Sequence, residues 1–247
     1  DLYDLDDIFY LDEDNNPFIA RYQSAIEPSG LGVLLLPDEN RELLNASIFF
    51  ESYRLLSSLR WNTLGIFLPD VERPPATARP NAADANAGNG ENPDQPELIQ
   101  PEQQPVSEDL RRLNIAADYL ARESSELAVI VGDRHQLTVL EDLAKREEII
   151  AIVLWRSEID SSYSELLKTL SKRGIKILDI IADTHSAEWQ RERKLLFKRA
   201  GYIDVRDSSN PLTSNYTQMR SPDGKIGNVH SSRRIQHWLS MNMSAFK

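Results

Sequence analysis

Leu127-Ala128-Val129-Ile130-Val131-Gly132-Asp133-Arg134-His135 is the stretch of the chain that decides the fold. Five uninterrupted apolar residues predict a strand that is buried on both faces, and the glycine after them permits a tight turn. Two more alternations of helix and strand follow, with helices at 135–147 and 162–173 and strands at 149–155 and 175–180. This rhythm predicts parallel strands that are joined by right-handed crossovers.

The same alternation extends in both directions from this stretch. Residues 31–36 and 64–68 are apolar runs, and residues 41–60 between them show the three- and four-residue spacing of a buried helix face. Ser107-Glu108-Asp109 predicts the start of another helix, because Ser is a favoured N-cap and acids favour the helix dipole. A last helix is predicted for residues 185–200. The predicted fold class is therefore α/β, with three α-β-α layers around a mainly parallel central sheet.

Residues 31–200 form the predicted domain, and three other regions differ from it in composition. Residues 1–30 are acidic with interleaved aromatics, which favours docking on the domain, although binding to a partner protein stays open. Residues 73–107 are rich in Pro, Ala, Asn, Gly and Gln and predict a long disordered insertion. Residues 201–247 are expected to be a basic, irregular extension that packs on the domain, with a turn at 221–225.

The bulk composition excludes several classes of protein. The absence of Cys excludes disulfides, thiolate nucleophiles and Cys-ligated zinc, and it fits a cytoplasmic or nuclear protein. A net charge of −11 argues against a general DNA binder, although residues 187–247 hold 11 Lys and Arg against five Asp and Glu. No apolar stretch approaches the roughly 20 residues that span a bilayer, so no membrane partner is expected. The start without Met or a signal pattern predicts an excised domain.

A carboxylate follows each of the apolar runs in the first half of the predicted sheet. The acids are Asp38 after the first run, Asp70 and Glu72 after the second, and Asp133 after the third. Ligands of open parallel sheets bind at the carboxyl ends of the strands, so these acids are expected to converge on one edge and share a divalent metal. The alternatives are helix capping for Asp38 and Asp133 and exposure at the start of a loop for Asp70 and Glu72.

These segments resemble the PIN domains of RNA-surveillance endonucleases. Leu34-Leu35-Leu36-Pro37-Asp38-Glu39-Asn40 is similar to the strand and Pro-Asp-x-Asn turn that open such domains. Residues 66–72 resemble the second strand with its acid, and residues 107–120 resemble the helix that brings the third. Residues 129–137 are similar to the strand and turn that carry the fourth acid. The resemblance covers roughly residues 31–145.

The resemblance implies a PIN-like, Rossmann-like fold and a metal-dependent endoribonuclease that acts on RNA in RNA processing or decay. It implies Asp38, Glu72, Asp109 and Asp133 as catalytic residues, with Asp38, Asp109 and Asp133 as ligands of Mg²⁺ or Mn²⁺. Because Gly132 stands where the family often has a second acid, the alternative is a catalytically inactive PIN-like scaffold in an RNA-processing complex. Its protein partner would then meet the acidic N-terminal segment or the basic C-terminal region.

A third interpretation is a receiver-like or nucleotide-binding regulatory domain, because parallel strands that end in Asp suit those proteins as well. The predicted helix 185–200 also carries Arg191, Arg193, Lys194 and Lys198 together with Trp189 and Phe197. Such a helix is a candidate for binding the RNA backbone, and its ordinary alternative is a solvated face. The sequence shows no Gly-rich phosphate loop and no nucleophile elbow, and its four histidines are too far apart to suggest zinc.

Overall fold

An eight-stranded sheet lies at the centre of the protein. The computed structural model describes residues 7–12, 16–27, 29–37, 40–43, 47–68, 108–132, 136–204 and 214–243. The strands are β1 (Ile8–Leu11), β2 (Phe18–Gln23), β3 (Leu31–Leu36), β4 (Trp61–Ile66), β5 (Glu126–Val131), β6 (Ile149–Trp155), β7 (Lys176–Ala182) and β8 (Tyr216–Ser221). The helices are α1 (Ile48–Ser57), α2 (Glu108–Ala121), α3 (Gln136–Leu143), α4 (Ser164–Lys172), α5 (Ala187–Arg199) and α6 (Gly224–Asn242).

The strand order is β1-β2-β4-β3-β5-β6-β7-β8. All pairs from β4 through β8 are parallel, whereas β2 runs antiparallel to both β1 and β4. The apolar run at 127–131 is the body of β5, and each of its residues is buried. β5 pairs with β3 on one side and with β6 on the other. Helices cover both of its faces, and for this reason the run is apolar throughout.

Helices cover both faces of the sheet, which confirms the predicted α/β class with a mainly parallel sheet. An apolar layer lies on each face of the sheet. Successive side chains of β3 point to opposite faces, so alternate residues of this strand belong to different layers. Val33 and Leu35 pack with residues of α1 and α6, whereas Leu34 and Leu36 pack with residues of α2 to α5. The predicted insertion at 73–107 lies outside the described residues.

The acidic N-terminal region contributes the two antiparallel strands at one edge of the sheet. The rings of Phe9 and Tyr22 contact Tyr119 of α2, with centroid distances of 5.4 and 5.5 Å. The Tyr22 hydroxyl donates a 2.6 Å hydrogen bond to Glu123, and burial together with this carboxylate raises the pKa of Tyr22. Phe9 and Tyr22 therefore pack on the domain itself, whereas Tyr10 is 55% exposed.

The expectation of an irregular C-terminal region is wrong for residues 216–242, which form β8 and α6. β8 is the edge strand, and its buried Gln218 bonds inside the protein, so it lacks the apolar run of a central strand. α6 buries Gly227, Ser231 and Ser232 beside its apolar residues. Because these buried residues are small or polar, the sequence of α6 lacks the apolar periodicity by which a buried helix face is recognised. Among the described residues, no helix has both the length and the apolarity needed to cross a membrane.

A cluster of charges ties the start of α2 to the connection between β1 and β2. Arg111 donates hydrogen bonds to both carboxylate oxygens of Glu108, to the Asp12 side chain and to the Asn16 carbonyl. Arg112 donates a 2.8 Å hydrogen bond to the same Glu108 carboxylate. These guanidinium groups, Arg111 first, hold the pKa of Glu108 at about 2. The cluster closes the N-terminal hairpin onto the domain.

This cluster leads us to expect an acid-dependent loss of stability. The pKa of Glu108 is lower in the folded than in the unfolded protein, so its stabilising effect is present above the ordinary glutamate value and is lost as the pH falls toward about 2. Glu108→Gln should therefore reduce the loss of unfolding free energy between pH 5 and pH 3, measured by urea denaturation. Glu147→Gln, at an exposed position, is the matched control. An unchanged pH dependence in Glu108→Gln would contradict the expectation.

Candidate functional site

The predicted metal site can be examined through only one of its four acids. Asp38, Glu72 and Asp133 lie outside the described residues, whereas Asp109 is buried in the first turn of α2. In the described part of the chain, no three His, Asp or Glu side chains are grouped so that they could hold a metal ion. The convergence of the four acids and the binding of Mg²⁺ or Mn²⁺ therefore stay predictions.

The four cations predicted to contact RNA all lie on α5, but the structure separates them into an inner residue and an outer group. Arg193 is buried, and its guanidinium makes two hydrogen bonds, of 2.8 and 2.7 Å, to the two carboxylate oxygens of Asp179. Arg191, Lys194 and Lys198 recur at the three- and four-residue spacing of one helix face and line a cleft. Arg193 is thereby withdrawn from any surface that a ligand reaches.

Asp179 lies in the middle of β7 and is fully buried, so its charge must be compensated inside the protein. Besides Arg193, the Tyr216 hydroxyl donates a 2.8 Å hydrogen bond to it, and the Gln218 amide donates one of 3.3 Å. Burial and the neighbouring carboxylate raise the pKa of Tyr216, which keeps its hydroxyl a donor. This network fixes α5 against β7 and β8.

The cleft beside this network, here called the α5–β8 cleft, has a volume of about 530 Å³. Small-molecule sites commonly measure roughly 300–1,000 Å³, so the cleft is large enough for one ligand. It lies between α5 from Arg191 onward, the turn that follows α5 and the beginning of β8. Its lining residues are Arg191, Lys194, Leu195, Lys198, Gly201, Tyr202, Ile203, Asp204 and Tyr216.

A glycine and two backbone hydrogen bonds shape the turn that closes this cleft. Gly201 follows the C-cap of α5 with a φ of +94°, a conformation that glycine adopts without strain at the end of a helix. The Ile203 carbonyl then accepts hydrogen bonds from the amides of Asn215 and Tyr216, each 3.3 Å long. The turn is thereby attached to the first residue of β8.

Positive charge predominates on the walls of the cleft. Lys194 forms a 3.0 Å ion pair with Asp204. Arg191 and Lys198 are exposed, and neither makes an ion pair with any residue that the structure describes. The cleft therefore keeps two cationic groups that are available to a ligand.

Tyr202 is one of the lining residues of the cleft, and its hydroxyl oxygen is shielded from solvent. Its side chain is 3% exposed, and its hydroxyl has no hydrogen-bond partner among the described residues. Burial raises the pKa of this phenol, so the hydroxyl stays protonated and is a donor. Its ring packs edge-on against Phe197, with centroids 5.7 Å apart. Buried polar groups without partners are uncommon in folded proteins.

Comparison with known proteins identifies the family. Residues 2–206 match the family described as "Protein of unknown function (DUF3530)". The chain belongs to the DUF3530 family. A search of curated proteins found no match to this DUF3530 chain.

Solved structures with the same fold are α/β hydrolases. The Pyrococcus furiosus esterase Pf2001 matches with a TM-score of 0.58 and 13% identity, over 96% of this chain and 92% of that one. Est1E from Butyrivibrio proteoclasticus matches with a TM-score of 0.55 and 10% identity, over 95% and 96%. XC6422 from Xanthomonas campestris, described as an α/β serine hydrolase without lid, matches with a TM-score of 0.51 and 14% identity, over 95% and 93%. At these identities the likeness shows the fold of the DUF3530 chain.

These comparisons correct the resemblance to PIN domains. The identification as a PIN-type endoribonuclease, or as an inactive PIN-like scaffold in RNA processing, is wrong, because the structure matches α/β hydrolases over nearly its whole length. The resemblance depended on apolar strands that end in acids, and many parallel α/β sheets carry polar residues at that edge. RNA as a partner, and a protein partner for the acidic N-terminal or basic C-terminal region, stay predictions without that support.

The serine motif of α/β hydrolases is absent from this DUF3530 chain. In those enzymes the nucleophile stands in Gly-x-Ser-x-Gly on a sharp strand-to-helix turn. The segment that joins β5 to α3 has the sequence Gly132-Asp133-Arg134-His135-Gln136, which contains no serine. None of the ten glycines begins a Gly-x-Ser-x-Gly motif, and there is no Cys.

The histidines of the described region do not supply a catalytic relay either. His185 stacks on Trp189, with ring centroids 3.7 Å apart, while His230 and His237 are exposed on α6. In the part of the chain that the structure describes, none of the three side chains forms a hydrogen bond or ion pair with a carboxylate. A Ser-His-Asp arrangement is therefore not assembled there.

Sequence reasoning missed Tyr202, Leu195 and Ile203 as candidate binding residues. Gly201 follows the predicted helix 185–200, and a glycine there indicates the end of a helix but does not indicate a binding cleft. The pairing of the following turn with Tyr216 joins positions that are distant in sequence, and no local motif announces it.

Proposed function

We propose that this protein is a non-hydrolytic, ligand-binding member of the α/β-hydrolase fold, and that the α5–β8 cleft binds a small organic anion. The observation that supports this proposal best is the presence of two exposed cations, Arg191 and Lys198, that line the cleft without an ion pair to any described residue. A carboxylate ligand would complement their charges.

The direct test is titration of the protein with butyrate, using butyramide as a neutral ligand of matched shape. Two-dimensional NMR of ¹⁵N-labelled protein should show shifts confined to the end of α5 and residues 201–204 with butyrate, and much weaker ones with butyramide. Lys198→Gln should weaken butyrate binding by up to about fivefold, the range of one exposed charge pair. Arg199→Gln removes the adjacent cation, which does not line the cleft, and should leave binding unchanged. Equal shifts with both ligands would refute the anion site.

Tyr202→Phe is expected to stabilise the protein. Removing a buried hydroxyl that has no partner should raise the free energy of unfolding by about 1 kcal/mol, because the desolvation of that group no longer opposes folding. The matched control is Tyr216→Phe, which removes a hydroxyl that donates to buried Asp179 and should lower the same free energy by roughly 1–3 kcal/mol. Urea denaturation of the two variants measures both values. If both substitutions raised, or both lowered, the free energy of unfolding, the Tyr202 hydroxyl could not be the unpartnered one of the two.

Ester hydrolysis is the second candidate function, because the matched solved structures include esterases. One observation favours it. Ser157 follows Arg156 at the carboxyl end of β6, Arg156 has a φ of +54°, and the Ser157 hydroxyl has no described hydrogen-bond partner. The Ser157 side chain is only 1% exposed, however, which opposes a role as nucleophile.

A fluorophosphonate probe and p-nitrophenyl butyrate separate the two functions. A non-hydrolytic binding protein should show no labelling and no hydrolysis above that of the Ser157→Ala variant. Labelling of Ser157, together with hydrolysis that is lost in Ser157→Ala, would establish the esterase function and would refute the non-hydrolytic part of our proposal.

A further inference from the structure

We infer that the anion is the head group of a single-chain amphiphile, a medium-chain fatty carboxylate, whose alkyl chain lies along Leu195 and Ile203. This inference rests on the proposed function, since it specifies the ligand of the same cleft. The site is also distinct from the usual crevice of α/β sheets, which lies at the carboxyl ends of the strands. The α5–β8 cleft adjoins Tyr216, the first residue of parallel strand β8, and so lies at the amino ends.

The apolar part of the cleft is the observation that calls for an alkyl chain. Leu195 is 48% exposed and Ile203 is 46% exposed, although most large aliphatic side chains in the described part of the chain are buried. Both line the same concave surface, together with Tyr202 and Tyr216. An apolar wall in a cavity binds apolar groups by removing their surface from water.

The polar part of the cleft selects the head group. Arg191 and Lys198 supply charges that no described acid neutralises. Asp204 lies on the same surface but is paired with Lys194, so the charges left for a ligand are those of Arg191 and Lys198. A carboxylate joined to an alkyl chain matches both the charge and the apolar wall, whereas a small inorganic anion matches only the charge.

Chain length and head-group charge test the inference separately. Binding of butyrate, hexanoate, octanoate and decanoate is measured below their micelle concentrations by calorimetry or NMR. Affinity is expected to rise about two- to fourfold for each methylene that the cleft buries. Decanol and decyltrimethylammonium, with the same chain and a neutral or positive head, should bind at least tenfold more weakly than decanoate.

The possible outcomes distinguish this inference from the proposal on which it rests. Equal affinity for butyrate and decanoate would overturn the amphiphile and would leave the anion site standing. Equal affinity for decanoate and decyltrimethylammonium would show unspecific apolar association and would overturn both. Absence of binding by all four carboxylates would overturn both as well.

A pair of surface variants locates the alkyl chain. Leu195→Gln should lower the affinity for decanoate about tenfold and flatten its dependence on chain length, because the chain loses an apolar contact. Ile226→Gln, at an 88% exposed position on α6 outside the cleft, should leave decanoate binding unchanged. Equal affinities of wild type and Leu195→Gln would place the chain elsewhere and would overturn the inferred geometry.

Discussion

Arg193→Met is expected to lower the free energy of unfolding by roughly 3–5 kcal/mol, since it leaves a buried carboxylate without its counter-ion. Asp179 is fully buried and Arg193 is 3% exposed, so water cannot replace the lost guanidinium. The remaining hydrogen bonds from Tyr216 and Gln218 do not carry a positive charge. Urea denaturation followed by circular dichroism measures the change.

Two further variants make this expectation specific. Lys194→Met removes the next residue on α5, whose ion pair with Asp204 is partly exposed, and should cost less than about 1 kcal/mol. Arg193→Met combined with Asp179→Leu should recover much of the lost stability, because replacing both members of a buried pair by apolar residues is often close to neutral. If Arg193→Met is no more destabilising than Lys194→Met, the buried pair does not hold α5 to the sheet.

Phe197→Ala is expected to destabilise the protein by roughly 3–5 kcal/mol, because it leaves a cavity in a closely packed part of the core. Phe197 is fully buried, and its ring stacks on Tyr216, with centroids 4.3 Å apart. It also packs edge-on against Tyr202 and lies under the guanidinium of Arg193, 5.9 Å from the ring centroid. The substitution should therefore loosen the wall of the cleft and weaken decanoate binding as well.

Leu195→Ala is the matched control for stability. It shortens a side chain on the same helix, two residues away, at a position that is 48% exposed. Its expected cost is below about 1 kcal/mol, which is usual for exposed positions. Thermal and urea denaturation of both variants test the difference. Similar losses would show that Phe197 is not an anchor of α5 and would remove the packing argument for the cleft.

These expectations share a physical basis in the two faces of α5. Arg193 and Phe197, four residues apart, point inward and bind the helix to the sheet. Arg191, Lys194 and Lys198 lie on the face that forms the cleft wall. Because the inner residues fix the helix, the backbone that carries the outer cations is already in place before a ligand binds. The affinity for a ligand therefore does not have to offset the ordering of a mobile helix.

Much of the fold was predictable from local patterns. β3, β5, β6 and β7 were found because strands covered on both faces are continuously apolar, and such runs are visible without any tertiary information. β8 was missed because an edge strand with Tyr216, Gln218 and Ser221 at its buried positions shows no such run. α6 was missed for the related reason that its buried face contains small and polar residues.

The candidate site was predictable only in part. Composition placed four cations on one predicted helix, and three of them line the cleft. Nothing in their spacing distinguished Arg193, since its partner Asp179 lies fourteen residues earlier on another element. Tyr202 lies in a region without periodicity, and its burial depends on the packing of Phe197 and Tyr216 against it.

By itself, the sequence determined the α/β class, the parallel core of the sheet and the absence of a serine nucleophile motif. These properties follow from apolar periodicity and from residue identity, which are local. Only the tertiary structure decided that β4 lies between β2 and β3, that the N-terminal hairpin completes one edge, and that cations of α5 line a cleft together with Tyr202. Those features depend on contacts between residues far apart in the chain, and such contacts form only when the whole sheet closes around its core.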